Sequence, residues 1–156
     1  MQVSELMTRE VITVFPDTPV VEIARRMLQH HISGIPVVER DGRLVGIVTE
    51  TDLVVRNANV HFPTFLQILD ARIYLSSPRH FEEELRRALG TVAADVMTRE
   101  VQTVRPDDDI SVAATLMFDR RINPIPVVED SILRGIISRT DIIRHILAQE
   151  VDGSSQ

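Results

Sequence analysis

The sequence contains no cysteine and no lysine among its 156 residues. Without cysteine the chain cannot form disulfides, thiolate nucleophiles or cysteine metal sites, which agrees with a reducing compartment. All 17 basic residues are arginines, so phosphate-loop lysines, Schiff-base lysines and lysine general bases are excluded as well. Clustered acidic residues of the kind that hold a catalytic metal are also missing, and the sequence therefore predicts a protein that is not an enzyme.

Basic residues are too few for a nucleic-acid-binding protein, since 17 of them stand against 23 acidic residues and the net charge is −6. Long apolar runs are missing too, because none approaches the roughly 18 residues that indicate a membrane span. The first residues lack the basic and apolar regions of a signal peptide. We therefore expect a cytoplasmic globular protein whose partners include neither nucleic acid nor a membrane.

Most of the chain consists of two copies of one sequence unit. Val3–Asp41 matches Ala93–Ser131 at 17 of 39 positions, and Arg43–Arg56 matches Ile132–His145 at 5 of 14. Such agreement predicts two related halves that share a core, because repeats of about fifty residues bury little surface alone. We expect a first repeat at 1–60, a helical connector at 61–92, a second repeat at 93–150 and a disordered tail at 151–156.

Each copy shows the pattern strand, helix, strand, strand, helix. In the first copy a β-branched stretch ends at Val14, and Asp17 or Thr18 is expected to cap the helix that follows. Two short apolar strands joined by a hairpin come next, before a second helix. The fold class is therefore mixed α/β (α+β), with two β-α-β-β-α repeats related by a pseudo-twofold axis. The first helix should bury residues at helical spacing: Ala24, Met27, Leu28 and Ile32.

A glycine-to-aspartate motif ends each copy, at Gly46–Asp52 and at Gly135–Asp141. We expect a strand to end at the hydroxyl residue of the motif and a helix to begin just after it. Backbone N–H groups and the positive end of a helix dipole would then point to one place, which attracts phosphate. The aspartate can accept hydrogen bonds from both hydroxyls of a ribose.

The same motif also permits a purely structural interpretation. Thr49 with Asp52, and Ser138 with Asp141, have the spacing of helix caps that satisfy only their own backbone. Because the motif occurs twice, each time after an Ile-Pro-Val-Val strand, the pattern favours a binding site over simple caps.

The chain resembles the CBS domain family in three motifs that occur twice in the same order: the Met-Thr opening at 7–8 and 97–98, the Ile-Pro-Val-Val strand, and the glycine-to-aspartate motif. The resemblance covers 3–56 and 93–147 and implies the tandem pair called a Bateman module. Such pairs bind AMP, ADP, ATP or S-adenosylmethionine in clefts between their halves. It therefore implies a non-catalytic sensor of an adenosyl ligand that forms a homodimer and regulates a partner protein.

The resemblance also implies roles for individual residues. Ribose contact is implied for Asp52 and Asp141. Phosphate contact is implied for four hydroxyl residues: Thr49, Thr51, Ser138 and Thr140. Adenine contact is implied for segments of both copies: Ile12, Thr13, Val14, Gly34, Ile35 and Pro36 in the first, and Thr103, Val104, Pro124, Ile125 and Pro126 in the second.

The two copies differ around their motifs. Pro124 replaces Gly34 and offers no backbone donor, which argues against equal use of the two sites. Arg139 stands where the first copy has Glu50, and Arg120 and Arg121 stand where it has two histidines. As a hypothesis, Arg139 with Arg120 or Arg121 pairs with ligand phosphate, the alternative being solvated helix-end arginines. No metal site is expected, because the five histidines lack ligand spacing: His30, His31, His61, His80 and His145.

Two other functions compete with the sensor. One is a structural or adaptor dimer with empty clefts that regulates a partner by contact alone, its motifs serving only as helix caps. The other is a nucleotide hydrolase, against which the missing lysine, cysteine and acidic metal cluster argue.

Overall fold

The computed structural model describes residues 1–58 and 92–153. The helical connector expected at 61–92 lies outside the described residues except for its last residue, as do the last three residues of the expected tail. The helices and strands are α1 (Val3–Leu6), α2 (Val20–His30), β1 (Gly34–Val38), β2 (Leu44–Thr49), α3 (Glu50–Ala58), α4 (Ala93–Val96), α5 (Ile110–Asp119), β3 (Ile125–Glu129), β4 (Ile132–Ile137) and α6 (Arg139–Gly153).

The chain divides into two compact units, each of which draws on both sequence copies. Unit 1 consists of Met1–Ile12, Arg40–Leu44 and Glu100–Gln156, and unit 2 consists of Thr13–Glu39 and Val45–Arg99. The opening segment of either copy therefore belongs to the unit that holds the hairpin of the other copy.

In unit 2, β1 and β2 are hydrogen-bonded neighbours. Val14 extends this sheet beyond β1, because its N–H donates to the Pro36 carbonyl at 3.1 Å and its carbonyl accepts from the Val38 N–H at 2.9 Å. On the β2 side, Ile47 and Thr98 exchange two backbone hydrogen bonds of 3.0 and 2.9 Å. The β-branched strand residues lie in the core, as their runs predict.

Unit 1 has the same arrangement. β3 and β4 are antiparallel, with Ile125 opposite Ile137 and an irregularity between Val127 and Val128. Val104 forms a parallel bridge with Val127, and Thr8 forms an antiparallel bridge with Ile136. The predicted first strand of each copy is therefore reduced to one bridge beside the hairpin, while the helices and the remaining strands are confirmed.

Helix α2 departs from the sequence prediction in its buried face and its cap. Leu28 was expected in the core, but it is 52% exposed. Burial instead follows Val20, Ile23 and Met27, a stripe that turns Leu28 outward. The predicted cap is also wrong, because Pro19 occupies the N-cap and the Thr18 hydroxyl accepts from the Phe15 N–H in the preceding turn.

The second hairpin turns without a glycine. Asp130 and Ser131 take φ values of 50° and 67°, whereas the first hairpin uses Gly42 at 86°. The left-handed region is accessible to Asp and favours the tight turns of two-residue hairpins.

Helix α6 continues to Gly153, into the segment expected to be a disordered tail. Within residues 1–58 and 92–153, no helix has the length and apolar character needed to cross a membrane.

Candidate functional site

The first motif forms a reciprocal cap at the junction between β2 and α3. The Asp52 Oδ2 atom accepts from the Thr49 N–H at 2.8 Å and from the Thr49 hydroxyl at 3.0 Å. In return the Asp52 N–H lies 3.4 Å from the Thr49 Oγ1 atom. The strand thus ends and the helix begins at the position that the sequence predicts, and this geometry is that of a capping box.

A residue from the opening of the second copy completes this junction. The Thr98 hydroxyl donates to the other carboxylate oxygen, Asp52 Oδ1, at 3.2 Å. Thr98 is held there by its two backbone bonds to Ile47. Thr98 was not among the residues expected at the site, although its Met-Thr dipeptide recurs at the start of both copies and is a signal that marks it.

The second motif forms a similar but less complete junction between β4 and α6. The Asp141 Oδ2 atom accepts from the Ser138 N–H and from the Ser138 hydroxyl, both at 2.7 Å. The Oδ1 atom of Asp141 lies 3.9 Å from an Nη1 atom of Arg144, beyond hydrogen-bond distance. Arg144 is 76% exposed, so this ion pair contributes little.

Each aspartate thus caps its own helix through one oxygen. The structural interpretation of the motif is therefore correct for Oδ2 in both copies, since that atom is engaged by the main chain and hydroxyl of the same junction. A carboxylate offers about four acceptor positions, so capping through Oδ2 leaves Oδ1 for a second partner. In Asp52 that partner is Thr98, whereas Asp141 Oδ1 accepts no hydrogen bond from the described part of the chain.

The remaining hydroxyl residues of the motifs differ in their surroundings. Thr51 and Thr140 are exposed in the first turns of α3 and α6, and neither side chain hydrogen-bonds to the described residues. The hydroxyls of Thr49 and Ser138 already donate to the capping carboxylates. Thr51 and Thr140 are consequently the motif hydroxyls that a ligand can reach without breaking a bond.

The segments expected to contact adenine lie next to each junction. In unit 2 the Glu50 N–H donates to the Ser33 carbonyl at 2.9 Å, so the start of β1 lies beside the start of α3. Thr13 and Val14 run along β1. Ile12 precedes this group in the sequence and belongs to unit 1. The structure therefore places the start of β1, at Gly34, beside the start of α3, with Thr13 and Val14 next to β1.

Unit 1 assembles the corresponding segments. The Arg139 N–H donates to the Asn123 side-chain oxygen at 2.9 Å, which holds the start of β3 beside the start of α6. The Val104 N–H donates to the Pro126 carbonyl at 3.2 Å. Pro124 lies just before β3, whereas its counterpart Gly34 is the first residue of β1. Asn123 is a second site residue that sequence analysis missed, and no repeated motif marked it.

Most of the apolar side chains in these segments belong to the core. Ile35 and Ile125 are fully buried, and Val14 and Val104 are 2% exposed. These four side chains pack inward, so contact with a base would have to use the main chain or the partly exposed neighbours such as Thr13.

The arginines expected to bind phosphate either follow the end of α5, as Arg120 and Arg121 do, or reach it from the start of α6, as Arg139 does. The Arg139 Nη2 atom lies 3.5 Å from the Met117 carbonyl in the last turn of α5, a favourable position for a cation. Arg120 and Arg121 are exposed, and Arg121 has a φ of 54°. Arg139 thus has a structural contact that the sequence did not predict, and its other guanidinium donors remain available. In the described segments, no group of three or more metal-ligating side chains occurs.

A family model described as CBS domain matches residues 3–58 and 92–148. The chain belongs to the CBS domain family. The two matched stretches are the two copies recognised in the sequence, so this CBS protein carries a tandem pair.

Relatives of this CBS pair include both short and long proteins. An uncharacterized protein of Methanocaldococcus jannaschii is 34% identical over 155 residues, covering 94% of this chain and 92% of the relative. An inosine-5'-monophosphate dehydrogenase of the same organism is 30% identical over 141 residues, covering 90% of this chain but 22% of the enzyme. In that relative, the matching segment is a small part of a catalytic protein.

Solved CBS proteins have the same fold. The crystal structure of CBSX2 in complex with AMP matches with a TM-score of 0.72 and 27% identity, covering 96% of this chain and 98% of that one. The mixed helix-and-strand fold of the CBS pair predicted from the sequence is therefore confirmed.

Proposed function

We propose that this CBS pair is a regulatory, non-catalytic module that binds an adenosyl ligand such as AMP, ADP, ATP or S-adenosylmethionine. Family membership supports a regulatory role, and the relative solved with AMP supports an adenine nucleotide as the ligand class. Binding would shift the equilibrium between two states of the module, and a partner protein or a second copy would respond to that shift.

The observation that carries the proposal is the pair of exposed hydroxyls at Thr51 and Thr140. Each lies in the first turn of a helix that begins beside an aspartate with an oxygen facing away from its cap. Backbone N–H groups of a first helical turn and a nearby hydroxyl suit a phosphate, and the aspartate suits the ribose beside it. The helix caps themselves do not require a hydroxyl at Thr51 or at Thr140.

Thermal unfolding with a ligand panel tests the proposal. AMP, ADP, ATP, S-adenosylmethionine and NADH would each be added, and a ligand at about 100 times its Kd should stabilise the fold by roughly 2.7 kcal/mol. The melting temperature should then rise by several degrees. Thr51→Val and Thr140→Val should reduce the rise without lowering the melting temperature of the free protein, because neither hydroxyl bonds to the described residues.

The matched controls are Thr51→Ser and Thr140→Ser, which keep the hydroxyl and should respond like the parent chain. If the valine and serine variants behave alike, the hydroxyls do not bind phosphate. Formation of product during the incubation would contradict a non-catalytic role.

A structural or adaptor protein is the second candidate, and the Thr98 hydrogen bond favours it for unit 2. With Thr98 in place, both oxygens of Asp52 are occupied by groups of the chain itself. If no ligand of the panel raises the melting temperature of this protein, the second function is supported.

We also propose that the module forms a homodimer through its exposed helical apolar side chains. Leu28 is 52% exposed and its counterpart Phe118 is 84% exposed. Val54 and its counterpart Ile143 are 46% and 55% exposed. Large apolar side chains exposed at the same positions of both copies support such an interface, because a second chain can cover them and a twofold dimer pairs identical surfaces.

A further inference from the structure

We propose that Thr98 limits ribose recognition in unit 2, so that unit 2 recognises one ribose hydroxyl whereas unit 1 recognises two. This inference rests on the proposed function, because it assigns a specificity to the same ribose-binding aspartates. It predicts that the two units differ in their preference for a ribonucleotide over the corresponding 2'-deoxyribonucleotide.

The acceptor positions of the two carboxylates lead to this conclusion. An ionised aspartate has about two acceptor positions on each oxygen. In Asp52, Oδ2 accepts from the N–H and the hydroxyl of Thr49, and Oδ1 accepts from Thr98 at 3.2 Å. One position is left, which is enough for a single ribose hydroxyl.

Asp141 retains one more position. Its Oδ2 atom accepts from the N–H and the hydroxyl of Ser138. Thr8 is the counterpart of Thr98, and it exchanges the same pair of backbone bonds, here with Ile136 at 2.8 and 2.9 Å. Its hydroxyl does not hydrogen-bond to Asp141. No other described residue hydrogen-bonds to Oδ1, since the Arg144 Nη1 atom lies 3.9 Å away, and Oδ1 therefore keeps both of its positions for the two hydroxyls of a ribose.

Thr98 is held firmly enough to act in this way. Its backbone is fixed by two hydrogen bonds to Ile47, and its neighbour Met97 packs on Gly46. Its side chain is exposed, so a ligand at the junction meets the Thr98 hydroxyl already bonded to Asp52. A second ribose hydroxyl would have to displace that bond and would gain little from the exchange.

Calorimetric titration with AMP and with 2'-deoxy-AMP tests the inference. The Thr140→Val background weakens unit 1 and reports on unit 2, and the Thr51→Val background does the reverse. We expect unit 1 to prefer AMP by about tenfold, because a hydrogen bond from ribose to a carboxylate is lost with the deoxy ligand. Unit 2 should bind the two ligands within about twofold of each other.

Thr98→Val in the Thr140→Val background should raise the preference of unit 2 for AMP by roughly three- to tenfold, because it vacates an acceptor position without changing the shape of the side chain. Thr8→Val in the Thr51→Val background is the matched control and should change nothing. The inference would be wrong, and the proposed function unaffected, if Thr98→Val left the preference of unit 2 for AMP over 2'-deoxy-AMP unchanged. The same would follow if the two units had equal preferences in the parent backgrounds. Absence of binding by every ligand of the panel to the parent chain would overturn the proposed function as well.

Discussion

The Sδ atom of Met97 lies 2.5 Å from the position that a Cβ atom on Gly46 would occupy. The carbonyl oxygen of Thr98 is 3.1 Å from the same position. Unit 1 repeats this contact, with the Met7 sulfur 2.6 Å from a Cβ built on Gly135. The glycine of each motif is therefore required by the Met-Thr opening of the other copy.

Gly46→Ala should destabilise unit 2. The added methyl group meets the Met97 side chain and the backbone of Thr98, so the opening segment must shift, at a cost of about 1–3 kcal/mol. Urea unfolding measures the difference. The combined Gly46→Ala, Met97→Ala variant should lose less stability than the two single variants added together, since the smaller side chain makes room for the methyl group. Simple additivity would show that the two residues do not interact.

The fold could be predicted well from the sequence where a pattern is local. The hairpin strands are apolar runs of the right length, and the motif places a helix start within a few residues of Thr49, close to the observed start at Glu50. The outward turn of Leu28 could not be predicted, because Val20 and Ile23 compete for the same core and only packing decides which stripe is buried. The composition of each compact unit depends on contacts between residues far apart in the sequence.

The candidate site could be predicted in part. The pairing of Thr49 with Asp52 follows from residue type and spacing, so the strand-to-helix junction could be predicted, and the cap was the alternative interpretation of the motif. The hydrogen bond from Thr98 joins residues 46 positions apart, so no local pattern indicates it. The same holds for the contact of Arg139 with the Met117 carbonyl, which depends on how α5 packs beside α6.

Asp52→Ala should cost more stability than Asp141→Ala. Asp52 accepts from Thr49 and also from Thr98, whereas Asp141 accepts only from Ser138 among the residues that the structure describes. A lost helix cap costs about 1 kcal/mol, and the additional bond should bring the loss for Asp52 to about 2 kcal/mol. Urea unfolding without ligand gives both values. A larger loss for Asp141 would mean that the Thr98 bond contributes nothing.

Asp109 should make the stability of unit 1 depend on pH in the acid range. Hydrogen bonds from Ser111, aided by the N-terminal ammonium group, lower the pKa of Asp109 from 3.8 to about 2. Because the folded pKa lies below the unfolded one, the stabilisation is complete above about pH 4 and is lost as the pH falls through about 2.

Asp109→Asn is the variant that isolates this effect, since asparagine also caps helices but does not titrate. Unfolding free energies of both chains would be measured between pH 2 and pH 5. The difference in unfolding free energy between the two chains should become smaller as the pH falls, and a constant difference would contradict the prediction.

Arg139→Ala should weaken AMP binding by about three- to tenfold and reduce its dependence on salt, because one charge that pairs with phosphate is removed. Adenosine, which has no phosphate, should bind equally well to both chains. The matched control is Arg105→Ala, which removes the same charge from a residue that pairs with Asp107 at 3.1 Å. If the two variants show the same affinity and the same salt dependence as the parent, Arg139 only supports the end of α5.

Phe118→Glu should dissociate the proposed homodimer. Phe118 is 84% exposed, and burying it against a second chain would stabilise the dimer by about 2 kcal/mol or more, whereas a buried unpaired carboxylate opposes association. Sedimentation velocity should give twice the 17.6 kDa chain mass for the parent and a single chain mass for the variant. Gln102→Glu adds the same charge at an exposed position outside the helices and should remain dimeric. A monomeric parent chain would exclude the proposed homodimer. A Phe118→Glu variant that stays dimeric would place the interface elsewhere, because a carboxylate cannot replace a ring that a partner surrounds without weakening the contact.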